Sequence, residues 1–387
     1  MLTTPLQVLL FSTPNCDSAA PFVEGMITAF QGGGTGYIAG ADDTGVPVWE
    51  YTEKPRQSVT DVLRGALHTV AVILLRRKML DDQPDLIAWL DELGQQTTGP
   101  GHAILIIDLD RSGRPLTRMA SAIKPSQIFT PEQLGEYAIR PTVAGLIALR
   151  NAIEVVSSGT TKLRSKLKLF VSHAKLDGIS LAKSLSDLIT SLPRFQSFYD
   201  AKDIVPGSDF RQILQDGVEN SVLIILRSGQ FEDRPWCLQE MQWAEEYTSP
   251  YMVVDLRHAL IVPPAKAVFE NVPTVWVPDG NQYRVIFIAL RESLRCRLHL
   301  RIAEELEAKD PQGMRYEILI RRPSMRGLRR LLGPSGPRTP IAIVYPDPPL
   351  PAADNDAAQA YVQTLSAGSV LTTPQTIAAT TLSGVVP

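Results

Sequence analysis

The stretch FYDAKDIVPGSDF (Phe198–Phe210), with the apolar run SVLIILRS (Ser221–Ser228) and then RPWCLQE (Arg234–Glu240), decides the fold of this chain. Upstream lies LKLFVSHAKLD (Leu167–Asp177). Short apolar runs that alternate with amphipathic segments are the pattern of α/β units around a parallel sheet. Leu167–Ser172 reads as a buried strand. Gly178–Leu192 carries Leu181, Leu185, Leu188, Ile189 and Leu192 at helical spacing, with Asp177 placed to cap it. Phe198–Asp200 reads as a short strand and Asp209–Val218 as a helix with Phe210, Ile213, Leu214 and Val218 on one face. Val222–Leu226 consists only of Val, Leu and Ile, as expected of a central strand buried on both faces. Tyr251–Leu256 and Thr274–Val277 add two strands, and Tyr283–Leu294 closes as a helix.

The first 155 residues repeat this layout. FSTPNCD (Phe11–Asp17) stands over VSHAKLD (Val171–Asp177), so that Ser12 pairs with Ser172 and Asp17 with Asp177. VLRGALHTVAVILLR (Val62–Arg76) stands over ILQDGVENSVLIILR (Ile213–Arg227), ILIIDLD (Ile104–Asp110) over MVVDLR (Met252–Arg257), and IALRNAI (Ile147–Ile153) over IALRESL (Ile288–Leu294). Four landmarks in one order predict an internal duplication with longer loops in the first copy. The copies differ where chemistry would sit. Glu240 falls over Trp89 or Leu90, and no Trp-Cys pair precedes the nearby acids Asp85, Asp91 and Glu92.

Composition narrows the function classes. The chain has 387 residues, 44% hydrophobic and 20% charged, with a formal net charge of −3. That suits two or three globular domains and gives no electrostatic reason to expect nucleic acid as a partner. No apolar run has membrane-spanning length, and MLTTPLQVLL lacks a basic leader. Cys16, Cys237 and Cys296 are too scattered for a metal site or a disulfide framework, which predicts a reduced, cytoplasmic protein. QGGGTG (Gln31–Gly36) lacks the Lys-Ser/Thr of a phosphate loop and reads as a plain loop. From about His299 the character changes. Six arginines lie between Arg315 and Arg330, Ile341–Tyr345 reads as a strand, and the tail after Pro351 is poor in charge.

Trp236 and Glu240 are four apart and share one face of a helix. Spacing alone is equally met by a surface glutamate on a helix whose Trp236 and Met241 pack inward. The order of motifs, however, resembles the TIR domain (Toll/interleukin-1 receptor type) over roughly Leu167–Leu294. The resemblance implies a flavodoxin-like parallel sheet with helices on both faces, and NAD+ as substrate rather than cofactor. It implies that Glu240 carries the cleavage. Ser172, His173, Tyr199, Asp200 and Trp236 would line the pocket, and the loop of Asp203, Pro206 and Gly207 would contact the next subunit on self-assembly with other TIR domains. No metal is implied, and no membrane. The products would be nicotinamide with ADP-ribose or a cyclic relative, in an immune role of the antiphage kind. A scaffold that only assembles with other TIR domains is the alternative. The expected organisation is a degenerate, non-catalytic TIR-like domain at 1–158, a TIR domain at 164–298, and an Arg- and Pro-rich extension at 299–387.

Overall fold

The computed structural model describes residues 4–13, 16–31, 44–97, 101–158, 167–175, 177–198, 210–219, 221–256, 272–277, 280–308, 315–333, 339–347 and 349–377. They fall into two compact units. The larger spans Thr3–Leu256 with Thr274–Arg295, and the smaller is built mainly from Cys296–Pro387.

The larger unit holds two five-stranded sheets. The first contains β1 (Thr4–Phe11), β2 (Val48–Tyr51), β3 (Ala66–Leu75), β4 (His102–Asp108) and β5 (Ile128–Phe129) in the order β2-β1-β3-β4-β5. The second contains β6 (Leu167–His173), β7 (Phe195–Phe198), β8 (Val222–Arg227), β9 (Tyr251–Asp255) and β10 (Thr274–Val275) in the order β10-β9-β8-β6-β7. Numbered within its own half, each sheet reads 2-1-3-4-5, and every pairing is parallel. This is the flavodoxin-like doubly wound order. The aligned landmarks fall on matching elements: Asp108 ends β4 beside Leu75, and Asp255 ends β9 beside Arg227. The central strands β3 and β8 are buried almost throughout, as their unbroken apolar runs require.

Helices cover these sheets with their apolar stripes. Ala20–Gln31 and Arg140–Ser157 pack on the first sheet, and Gly25 approaches Pro141 so closely that a Cβ would come within 3.0 Å of the Pro141 carbonyl oxygen. The two halves are tied by arginines. Arg150 Nε donates to the Arg194 carbonyl at 3.1 Å, and the Arg194 guanidinium lies 4.9 Å from the Phe129 ring. Arg291 donates to the carbonyls of Thr28 and Ala29, the latter at 2.8 Å, and so satisfies acceptors left open at the end of the Ala20–Gln31 helix.

Several elements differ from their sequence-based limits. The second strand of the later half is Phe195–Phe198 rather than Phe198–Asp200. Phe195 and Phe198 both turn into the core, and Arg194 makes the turn before them at φ 66°. Asp177 does not cap the following helix. That helix is Ile179–Ser191 with Gly178 at its N-cap and no side-chain cap bond, while the Asp177 carboxylate accepts from the Gln230 backbone N–H at 3.3 Å. The expected helices Tyr283–Leu294 and Arg301–Asp310 are one 27-residue helix, Gln282–Ala308.

The smaller unit has its own parallel sheet, β11 (Arg315–Ile318), β12 (Ile341–Val344) and β13 (Val370–Thr372), in that order. Helices Met325–Leu332 and Ala352–Leu365 close a core around Leu328, Ile343, Tyr345 and Val362. The charge-poor tail after Pro351 therefore supplies a helix and a strand. Arg329 and Arg330 stay exposed while Leu328 and Leu332 turn inward.

Candidate functional site

In a 2-1-3-4-5 sheet the first and third strands run side by side, and the connections leaving them go to opposite faces. The crevice at their C-terminal ends is where such folds bind ligands. In the second half this places Ser172 and His173, at the end of β6, beside Ile225 and Leu226 of β8. The helix Pro235–Glu246 follows β8, with Pro235 at its first position, where a missing N–H costs nothing. One full turn in, it presents Glu240 to the end of β6.

Glu240 is 6% exposed and Ser172 2%. The Ser172 Oγ–H donates to Glu240 Oε2 at 2.5 Å. A bond this short fits a hydroxyl meeting a carboxylate, and it offsets part of the cost of holding that carboxylate out of water. The surface-glutamate reading of Glu240 is thereby excluded, whereas Trp236 is 46% exposed at the rim. Of its helix, Met241 and Trp243 face inward. The Cys237 thiol points to the His173 carbonyl, 3.6 Å away, and so fastens the helix's first turn to the strand end. His173 is buried, 7% exposed. Gly178 sits where a Cβ would come 3.0 Å from that of His173, so the next helix can start directly against the site.

Arg227, buried at the end of β8, holds the loop that leads to the Glu240 helix. It donates from Nε to Glu232 at 2.8 Å and lies 3.6 Å from Asp255. The next residue was missed by sequence reasoning. Ser228 is 6% exposed, and its Oγ is inaccessible with no hydrogen-bond partner among the described residues. Its only signal in the sequence was its place just past a buried strand. Of the expected site residues, the structure thus brings Ser172, His173 and Glu240 to one strand end, with Trp236 at its edge. Tyr199, Asp200, Asp203, Pro206 and Gly207 lie outside the described residues. No group of three or more His, Cys, Asp or Glu among the described residues is arranged to hold a metal, and no described helix is long and apolar enough to cross a membrane.

The first half fills the matching positions differently. Trp89 and Leu90, over which Glu240 falls, both lie buried on the helix Pro84–Gln96, and Trp89, 3% exposed, packs against Phe11 of β1 with ring centroids 5.5 Å apart. Ser12 finds another carboxylate: its Oγ donates to Glu50 on the edge strand β2 at 3.3 Å. Cys16 accepts from Arg76 Nη1 at 2.7 Å and lies 3.3 Å from Ser18 Oγ. Burial raises the Cys16 pKa, but the bonds with Ser18, Arg76 and the Ala19 backbone, together with the Arg76 charge, outweigh it, and the thiol sits below its ordinary value.

No curated protein matches the chain. The family model described as the TIR domain matches residues 169–270, which include Ser172, His173 and Glu240, so this stretch carries a TIR domain.

Proposed function

We propose that the second half is an NAD+-cleaving TIR domain in which Glu240 carries the chemistry. The observation behind this reading is the buried Ser172–Glu240 pair at the C-terminal edge of the sheet, inside the stretch with the TIR match. The bond to break joins C1′ of a ribose to a nicotinamide that already bears positive charge. The electron pair of that bond neutralises the leaving nicotinamide, so no general acid is needed, and one carboxylate suffices where most glycosidases use two. Glu240 would hold the ribose hydroxyls and stabilise the positive charge that develops on C1′. Its low exposure strengthens that stabilisation, because water screens it poorly. The Ser172 hydroxyl fixes which carboxylate oxygen is turned to the substrate. Attack by water gives ADP-ribose and releases one proton; attack by an atom of the nucleotide itself gives a cyclic product.

The exposed Trp236 would stack on the nicotinamide or its ribose, and His173, Tyr199 and Asp200 would supply polar and aromatic walls. Assembly through the loop of Asp203, Pro206 and Gly207 would switch the enzyme on, in a cytoplasmic defence response that depletes NAD+ or makes a signal from it. The first half, with the same strand order and no counterpart of Glu240, would be a degenerate TIR-like repeat. The test is nicotinamide release from NAD+ by the purified chain, concentrated or crowded to favour assembly, against Glu240→Gln. Release from the wild-type chain alone supports the reading. Equal release from both removes Glu240 from the chemistry, and release from neither in any assembly state leaves a scaffold.

A further inference from the structure

A second crevice lies at the C-terminal edge of the first sheet, where β1 and β3 run side by side. A cleft of about 460 Å³ opens there, within the range of small-molecule sites. Its walls come from the chain just past β1 (Thr13), past β2 (Glu53, Lys54) and past β3 (Lys78, Asp82), and from the start of the helix Pro84–Gln96. Two polar atoms in these walls are sealed from water and unpartnered among the described residues: Thr13 Oγ1, on a side chain 6% exposed, and Gln83 Oε1. Buried polar groups without partners are rare in folded proteins, and here two share one cleft.

From these features we infer that the first half binds a nucleotide, a phosphate-bearing ribose with its base, in this cleft. Lys54 and Lys78 are exposed cations at the rim, and past Pro84, which has no N–H, the first turn of the 13-residue helix adds the backbone N–H groups of Asp85 and Leu86 with no side-chain cap. Together they form a phosphate subsite. The carboxylates of Glu53 and Asp82 suit the vicinal hydroxyls of a ribose. Thr13 and Gln83 line the same cleft, and a side-chain rotation on binding would turn the sealed hydroxyl and amide oxygen toward polar edges of the ligand, while Pro84 and Leu86 give a base an apolar wall. The mixed lining favours a nucleotide over a bare anion: Glu53, Asp82 and Asp85 repel either phosphate, but only the nucleotide brings hydroxyls that donate to those carboxylates. This inference does not depend on NAD+ cleavage in the second half. It gives the half without Glu240 a binding role of its own.

The test is titration calorimetry on the full chain carrying Glu240→Gln, with AMP, ADP-ribose and inorganic phosphate as probes. Expected is binding of AMP or ADP-ribose, much tighter than phosphate, that weakens at least tenfold in Lys54→Ala/Lys78→Ala and is kept in Trp236→Ala. Both lysines are exposed, so the double variant should fold. Thr13→Val should leave the ligand-free melting temperature unchanged or higher, because it removes an unpartnered hydroxyl, and should abolish the ligand-induced rise. The inference is overturned by any of four results: neither nucleotide binds; the double variant binds as well as its parent; binding is lost in Trp236→Ala instead; or phosphate alone binds as tightly as the nucleotides. A fall in ligand-free melting temperature for Thr13→Val would overturn the part assigned to Thr13.

Discussion

The two sheets of the larger unit share one strand order and differ in what meets the end of the first strand. Where the second half holds Glu240 against Ser172, the first holds Trp89 against Phe11. Each solution fills the space over the end of a first strand. The tryptophan does so with apolar area and a single polar tip, its Nε1 bonding the Gln57 carbonyl at 3.2 Å. The glutamate does so at a desolvation cost that the bond from the Ser172 hydroxyl offsets in part. The fold tolerates either, so function resides in the side chain at this point and not in the sheet.

The largest expected effect separates the two carboxylates that meet the two serines. Glu240→Gln should lower nicotinamide release by roughly a thousandfold, the scale of losing a main transition-state contact. Glu50→Gln in the first half, on an exposed edge strand, should leave release within about twofold. An equal loss in both, measured at matched assembly, would mean that the contrast between the halves has been misread.

A second contrast concerns the thiols. Cys16 is partly exposed beside Arg76, whereas Cys237 and Cys296 are buried. With its pKa lowered, Cys16 carries more thiolate than an ordinary cysteine at any pH below about 9. Mass-spectrometric tracking of iodoacetamide labelling at pH 7.5 should find Cys16 modified at least about thirtyfold faster than the other two. In Arg76→Met the labelling midpoint should move to higher pH, because a cation that favours the thiolate is gone. Equal labelling of all three would break the contrast.

Next in size is the serine pair. Ser172→Ala removes the Oγ–H that donates to the Glu240 carboxylate and should reduce release about tenfold, mostly in kcat, the equivalent of a single charge-assisted bond. Ser12→Ala should have no effect on release. If Ser172→Ala were as damaging as Glu240→Gln, the serine itself would be touching substrate.

Much of this architecture was legible in the chain. The unbroken run Val222–Leu226 read as a central strand buried on both faces, and the aligned landmarks at Asp108 and Asp255 predicted matching sheets. Glu240 was legible as a position but not as a buried one, because a helix face seen in sequence does not say which strand end it meets. Asp177 misled because an acid before a helix looks like a cap, whereas the loop from Gly229 comes close enough for its backbone to claim the carboxylate. Ser228 was invisible: a serine after a strand is commonplace, and its burial depends on the whole crevice. In the smaller unit only Ile341–Tyr345 was legible as a strand, because β11 and β13 are four and three residues long, too short for periodicity to register.

The smallest expected effect asks whether the halves are separate at all. Their strand orders suggest two domains, yet Arg291 from the second half closes the helix end at Thr28 and Ala29 in the first. Arg291 is 8% exposed, and its guanidinium also lies 5.4 Å from the Phe287 ring. Arg291→Met keeps the apolar stem but removes both donors, leaving two carbonyls unanswered at a buried helix end. The loss should be about 1–2 kcal/mol. In urea unfolding followed by fluorescence and by circular dichroism, a larger unit that melts as one body would shift its single transition to lower urea with its slope kept. If instead one transition moved and another stayed, the halves would be independent modules, and whatever the first half binds could reach Glu240 only through the linker between them.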